Sequence, residues 1–169
     1  ALSENGAGSD AASLSTKAVA DGDDFVIDGT KMWITGAQQA RYILTAVRTD
    51  PKARKHEGIS LFLVPTETPG LEIRPIDLLG GSAIRTCEVN YVGVRVPRSM
   101  MVGELHLGWK RLTAVLAKER VALAAMCAGA AQAGQGGQIA KALRGPPRRQ
   151  HRHRQRRLDG LRQRLAEVR

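Results

Sequence analysis

The sequence predicts a mainly β fold, either a small β-barrel or orthogonal sheets, followed by one or two helices. Within the first 107 residues, short runs of alternating apolar and polar residues are separated by turns that contain Gly, Asp or Pro. From Gly108 the apolar residues recur at helical intervals and alanine becomes frequent. From Arg144 the chain is rich in arginine and poor in large apolar residues, a composition that cannot form a core. We therefore expect three segments, at residues 1–107, 108–143 and 144–169.

The strand boundaries follow from the turns. Asp21 to Asp24 reads as a turn, and Asp28-Gly29 is a hairpin signal because this dipeptide favours the tight turns that join antiparallel strands. Pro97 ends the last strand because proline cannot donate to a strand ladder. The predicted strands are Leu14–Ala20, Phe25–Ile27, Thr30–Thr35, Tyr42–Arg48, Ile59–Val64, Leu71–Arg74 and Thr86–Val96.

The helical segment carries a predicted apolar stripe. Trp109, Leu112, Val115 and Met126 recur at helical spacing, with alanine-rich sequence continuing to about Ala133. The stretch of residues 133–137 contains three glycines, each of which costs about 1 kcal/mol in a helix. We expect the helical pattern to be interrupted there.

Composition narrows the possible functions. The net charge is +10, but in residues 144–169 ten arginines face only two acids, so most of that charge lies in the tail. No apolar run reaches the roughly 20 residues that a membrane-spanning helix needs, and no secretory signal pattern is present. Cys87, Cys127 and the four histidines lack the spacing of zinc ligands, so we expect no metal site.

Two stretches are candidates for a ligand site. Strand alternation places Lys31, Trp33 and Thr35 on one face of a strand, with Met32 and Ile34 on the other. An indole beside a hydroxyl suits a flat heteroaromatic ligand that needs stacking and one hydrogen bond. The second stretch, residues 6–9 (GAGS), lacks the glycine patterns of dinucleotide and P-loop sites and on its own indicates only a flexible turn.

Taken together, four stretches carry a resemblance. ALSENGAGSD, DGTKMWIT, TCEVNYVGVRVP and GWKRLTAVLAKERVALAA occur in the order and at the spacing of the middle part of the acyl-CoA dehydrogenase family, over about residues 1–130. The resemblance implies that residues 1–107 are the family's middle β-barrel domain and that residues 108–143 begin its C-terminal helical bundle, here truncated. Residues 144–169 depart from the family as an aberrant arginine-rich tail, for which we hypothesise a reading-frame error.

The resemblance also implies a function. Family members bind FAD and oxidise an acyl-CoA thioester to its trans-2-enoyl-CoA, with hydride transfer to flavin N5. An electron-transfer flavoprotein is the implied acceptor, and the intact enzymes are homo-oligomers, tetramers or dimers. The implied location is the cytoplasm in a bacterium or the mitochondrial matrix in a eukaryote. Because the first motif is internal to the family, we expect a preceding helical domain to be missing and this fragment alone to be inactive.

The implied cofactor and substrate contacts map residue by residue. By position, Leu2 and Ser3 meet the flavin ring, and Gly8 and Ser9 reach the FAD pyrophosphate, with Ser9 also at the acyl-CoA. Trp33 packs beside the isoalloxazine, and the Thr35 hydroxyl bonds near flavin N5. These six residues are the expected cofactor contacts: Leu2, Ser3, Gly8, Ser9, Trp33 and Thr35.

The position of the catalytic base stays open. Removing the α-proton of a thioester requires a carboxylate that is desolvated, since burial raises its pKa toward the working pH. A minority of the family places this base on the first bundle helix, and Glu119 matches that position, in line with an apolar stripe. Most members place it further along the bundle, beyond this chain. Arg120 matches a family arginine near the substrate cavity, where an ion-pair role is equally compatible.

Two other functions remain as alternatives. An acyl-CoA oxidase, or another flavoenzyme of the superfamily, would admit oxygen to the reduced flavin, and nothing in residues 1–143 reports on that difference. The arginine-rich tail could bind nucleic acid without sequence specificity, through salt-dependent phosphate contacts. It contains no aromatic residue for base stacking, so no specific nucleic-acid partner is expected.

Overall fold

The computed structural model describes residues 1–79 and 84–143, with side chains up to residue 137. The predictions made for residues 144–169 fall outside the described residues. The strands are β1 (Lys17–Asp21), β2 (Asp24–Thr35), β3 (Tyr42–Arg48), β4 (Ile59–Pro65), β5 (Leu71–Pro75) and β6 (Thr86–Pro97); one long helix, α1 (Gly108–Leu143), follows. Two 3-10 turns, Ala11–Ser13 and Arg98–Met100, lie before β1 and after β6.

The six strands form one sheet in the order β4-β3-β1-β2-β6-β5. Neighbouring strands are antiparallel except β1 and β3, which share a single parallel bridge between Lys17 and Arg48. The β1–β2 hairpin closes at the Asp21–Asp24 pair, as the sequence predicted, with Gly22 in the left-handed region at φ +64°. A mainly β architecture followed by a helix is thus confirmed.

The sheet folds over on itself to enclose the main core, which contains Phe25, Phe62 and Tyr91. The ring of Phe25 on β2 lies 4.9 Å from that of Phe62 on β4, although β1 and β3 separate these strands in the sheet. The hydroxyls of Thr45 on β3 and Tyr91 on β6 are 2.7 Å apart across the same interior. The curvature therefore brings non-adjacent strands into contact, which is how a small β-barrel buries its inward-facing residues.

The hairpin predicted at Asp28-Gly29 is wrong. Both residues lie inside β2, and between the Ile27–Val94 and Gly29–Tyr91 pairs the facing strand β6 carries one residue more than β2. A β-carbon added to Gly29, which has φ +144°, would lie 2.6 Å from Thr16 Oγ1, so the position requires glycine for close approach rather than for a turn.

A smaller core cluster fixes the first residues of the chain. It contains Ala7, Ala12, Leu14, Ala46, Ile59 and Leu61, and the half-buried Leu2, Trp109 and Leu112 pack against it. The same cluster holds the start of α1, because Gly108 is buried close to the backbone of β4. It therefore ties the N-terminal loop to the barrel.

The long helix runs through the glycine-rich stretch, so the interruption expected at residues 133–137 is wrong. Nucleation is the costly step in forming a helix, and here extension proceeds from a long alanine-rich segment that tolerates glycines. The chain divides into two compact units, one ending at Leu116 and the other beginning at Ala117. Among the residues described, no helix combines the length and apolarity that crossing a membrane demands.

Candidate functional site

The centre of the candidate site is a bulge in β2. Opposite β6, Lys31 pairs with Val89 and Ile34 pairs with Cys87, so β2 carries one residue more than its partner over this interval. Trp33 lies within the bulge with φ +65°, a conformation that is uncommon for a bulky residue. Trp33 is 55% exposed. The sheet thus presents an indole outward at a cost in backbone strain, and such strain is often found at functional positions.

The prediction that Lys31 shares a face with Trp33 and Thr35 is wrong, because of the bulge. Lys31 is fully buried, whereas Trp33 and Thr35 are exposed. The extra residue puts Lys31 and Ile34 on the same inner face, where Ile34 packs against the main core. Simple alternation cannot anticipate this, because a one-residue insertion reverses the side-chain pattern that follows it.

The Thr35 hydroxyl lies at the edge of the exposed face. Its Oγ1 is 3.0 Å from Oγ1 of Thr86, the residue that pairs with it on β6. When one hydroxyl donates to the other, the second retains a hydrogen that can be donated to a ligand. Thr86 was not among the predicted site residues, and a cross-strand pair becomes visible only once the register is known.

The N-terminal segment lies beside the bulge. β1 begins at Lys17, opposite Asp28, so the part of β2 that carries Trp33 extends beyond it. There the Met32 amide donates to the Ser3 carbonyl at 2.9 Å, and the Ala46 amide on β3 donates to the Ala1 carbonyl at 3.0 Å. The first four residues therefore bridge β3 and β2 where β1 is absent. This contact brings the two stretches selected from the sequence together.

An ion pair lies under this segment. Lys31 Nζ donates to Glu4 Oε1 at 2.9 Å and to the Leu2 carbonyl at 3.0 Å. The Glu4 carboxylate also accepts from the backbone amides and hydroxyls of Ser15 and Thr16, at 2.6–3.0 Å. Both partners are buried, with Glu4 7% and Lys31 0% exposed. Sequence reasoning missed this pair. The available signal was a lysine directly before the large apolar residues Met32 and Trp33 of a predicted strand.

The two charges respond differently to their surroundings. Burial raises the pKa of Glu4, but the hydrogen bonds from Ser15, Lys31 and Thr16 outweigh it and lower that pKa to about 2. Burial lowers the pKa of Lys31, and the neighbouring Glu4 carboxylate opposes that shift. The carboxylate is therefore fixed as an anion at neutral pH and is not a proton acceptor.

The loop that follows is open. Glu4 and Ala7 exchange two backbone hydrogen bonds of 3.1 Å, which close a tight turn. Gly8 and Ser9 are exposed, and a β-carbon at Gly8 would meet no atom within 4 Å. Neither amide donates to another backbone group in the described part of the chain. These N–H groups are thus accessible to an anionic ligand group.

Glu119 and Arg120 lie on α1 in the second compact unit, and both are exposed. The partial desolvation expected for Glu119 is therefore not present in this chain, because the described helix residues from 117 to 137 are all exposed. Among the described residues, no three His, Cys, Asp or Glu side chains are grouped as a metal site would require.

The sequence of the barrel identifies its family. Residues 1–94 match the family described as "Acyl-CoA dehydrogenase, middle domain". The chain belongs to the acyl-CoA dehydrogenase family. The resemblance drawn from the four sequence stretches is confirmed.

Similar proteins cover the same region. Acyl-CoA dehydrogenase FadE26 of Mycobacterium tuberculosis is 48% identical over 124 residues, which are 72% of this chain and 30% of that protein. The structure of the Tcur3481-Tcur3483 steroid ACAD is 52% identical with a TM-score of 0.69, over 73% of this chain and 32% of that one. A glutaryl-CoA dehydrogenase of Mycobacterium smegmatis in complex with FADH2 is 39% identical with a TM-score of 0.54, over 59% and 25%. The chain spans about a third of the length of the relatives it matches.

Proposed function

We propose that this chain is the flavin-facing part of an FAD-dependent acyl-CoA dehydrogenase, which converts an acyl-CoA to its trans-2-enoyl-CoA. The observation that carries the proposal is the exposed Trp33 indole, held in a strained bulge between the Ser3 segment and the Thr35 hydroxyl. A large aromatic side chain at an unfavourable φ and exposed to solvent gains little for stability, which supports a role in ligand binding.

The described residues fit FAD. The indole offers a flat apolar surface to an isoalloxazine ring, and the Thr35–Thr86 pair offers a hydroxyl donor at its edge. The accessible amides of Gly8 and Ser9 suit a pyrophosphate. When bound, FAD supplies the acceptor for the hydride that leaves the substrate β-carbon. Leu2 and Ser3 complete the proposed cofactor contacts.

The reaction also requires a base that removes the α-proton of the substrate. We propose Glu119 as a candidate base for the substrate α-proton and Arg120 as a substrate contact, together with Ser9. Glu119 is exposed here, so its carboxylate becomes a strong enough base only where further structure excludes water from it.

The remaining parts of the proposal concern the whole enzyme. An electron-transfer flavoprotein is the proposed electron acceptor, and a tetramer or dimer the proposed assembly. Relatives in Mycobacterium tuberculosis and in mitochondria of Bos taurus fit a bacterial cytoplasmic or mitochondrial matrix location.

The test replaces the matched 124 residues of FadE26 with those of this chain. We expect the purified chimera to retain FAD and to bleach its flavin absorbance when an acyl-CoA is added without oxygen. The substrate panel includes straight-chain acyl-CoAs, glutaryl-CoA and a steroid acyl-CoA, since relatives carry the last two names. A chimera that retains FAD but is reduced by none of them would contradict the dehydrogenase proposal.

Two further measurements use the same chimera. Peroxide release during turnover in air would favour the oxidase alternative over a dehydrogenase. Glu119→Gln is expected to abolish flavin bleaching while FAD is retained; full bleaching would place the base elsewhere.

A further inference from the structure

The buried Glu4–Lys31 ion pair carries an unfavourable free energy of desolvation. Removing a lysine and a glutamate from water carries a large desolvation penalty, and replacing such pairs with apolar residues of similar shape is often neutral or stabilising. Stability alone therefore gives little reason for an ion pair with side chains 0% and 6% exposed. Its location next to Trp33 suggests another role.

The pair joins three segments of the site. Lys31 is the last residue in register with β6 before the bulge that contains Trp33. Its ammonium contacts the Leu2 carbonyl and the Glu4 carboxylate, and that carboxylate contacts Ser15 and Thr16, which immediately precede β1. The bulge, the N-terminal segment and the residues that lead into β1 are thus fixed to one another through one ammonium and one carboxylate.

We infer that Glu4 and Lys31 are positioning residues, which hold the Leu2–Glu4 segment against β2 and thereby fix the Trp33 indole. Two hydrogen bonds join this segment to β2, one from Lys31 Nζ to the Leu2 carbonyl and one from the Met32 amide to the Ser3 carbonyl. An apolar side chain could fill the space of Lys31 but could not donate to the Leu2 carbonyl. The Lys31 ammonium thus makes directional hydrogen bonds that apolar packing cannot replace.

The inference deepens the proposed function, since the indole so fixed is the proposed flavin contact. Its test contains no flavin, so it can fail while the flavin proposal stands, and the reverse also holds. The full chain is used with Trp109→Phe, which leaves Trp33 as the single tryptophan.

The main variant is Glu4→Gln with Lys31→Met, which removes both buried charges and keeps similar shapes. We expect a lower unfolding midpoint than that of the parent, because an amide cannot accept all four hydrogen bonds that Ser15 and Thr16 donate to the carboxylate. Exchange at Met32 is therefore compared with exchange of amides in β3 and β4 of the same variant. The Met32 amide is expected to exchange about ten-fold faster, as the local contact opens more often. Trp33 fluorescence anisotropy is expected to fall. The control variant, Asp21→Asn with Arg95→Met, removes an exposed ion pair elsewhere on the sheet. It should change neither the exchange rate of the Met32 amide nor the anisotropy of Trp33.

A purely structural role predicts a different pattern. If the double variant keeps both the Met32 protection and the Trp33 anisotropy of the parent, the inference is overturned. Should that variant not fold, Glu4→Asp serves instead, because a carboxylate shortened by one methylene cannot reach Lys31, Ser15 and Thr16 together. Faster Met32 exchange in Glu4→Asp supports the inference, and unchanged exchange overturns it.

Discussion

At Trp33, the backbone adopts a conformation that glycine tolerates better than any other residue. In an ordinary strand, alanine is more stable than glycine by about 0.5–1 kcal/mol. At φ +65° the order should reverse, so we predict that Trp33→Gly is more stable than Trp33→Ala by about 1 kcal/mol. Urea unfolding of both variants measures this, with Val26→Gly and Val26→Ala on the same strand as controls in the usual order. A less stable Trp33→Gly would show that the bulge is not strained in solution.

The lowered pKa of Glu4 predicts how the unfolding free energy depends on pH. Its pKa is lowered from 4.5 to about 2, so it contributes stability that is present above pH 4.5 and is lost as the pH falls toward 2. Glu4→Gln cannot titrate, so the difference in unfolding free energy between wild type and Glu4→Gln should shrink over this interval. Denaturant unfolding between pH 5 and 2 tests this, with the exposed Glu67→Gln as control. A difference that stays constant across the interval would be inconsistent with the buried contacts of Glu4.

At the scale of elements, α1 contains glycines that no contact requires. A β-carbon at Gly134, Gly136 or Gly137 would meet no atom within 4 Å, and each glycine costs about 1 kcal/mol relative to alanine in a helix. Because these residues are already helical, replacing all three with alanine should raise the temperature at which the helical signal in far-UV circular dichroism is lost. An unchanged melting curve would indicate that the helix ends before these residues.

The elements show where sequence reasoning succeeds. β3 was predicted at its observed bounds because polar turns flank an apolar run. The sequence predicts two strands where β2 is continuous, because Asp28-Gly29 has the composition of a turn. The glycine is needed for the close approach of Thr16, which is a tertiary contact. The bulge at Trp33 could not be foreseen, since an inserted residue leaves no mark in the composition of one strand.

At the scale of the molecule, the folding of the sheet over its core is the property to test. Burial raises the pKa of Tyr91 to about 12, and its hydroxyl reaches Thr45 on the far side of the core. Tyr91→Phe is predicted to destabilise the fold by about 1–2 kcal/mol, because a buried hydrogen bond is lost. Thr30→Val, which removes an exposed bond to Asn90 between adjacent strands, should cost less. Equal costs would argue against a closed core.

The site as a whole was partly predictable. The sequence predicts that Trp33 and Thr35 share a face, and the structure exposes both. Sequence reasoning did not predict their supports Glu4 and Thr86, and it placed Lys31 on the wrong face, because each acts through a partner distant in the sequence. The desolvation expected for Glu119 depends on what surrounds the helix, which the helical spacing of one segment does not encode.

The central claim is that the Trp33 indole flanks the flavin. The most direct measurement is the amount of FAD bound per subunit, and its affinity, in the FadE26 chimera carrying Trp33→Ala, compared with Val92→Ala at another exposed apolar position. We predict that Val92→Ala keeps the parent affinity, and that Trp33→Ala weakens FAD binding by about ten-fold, as expected for a lost aromatic contact of this kind. Parent-like FAD affinity in Trp33→Ala would contradict the account.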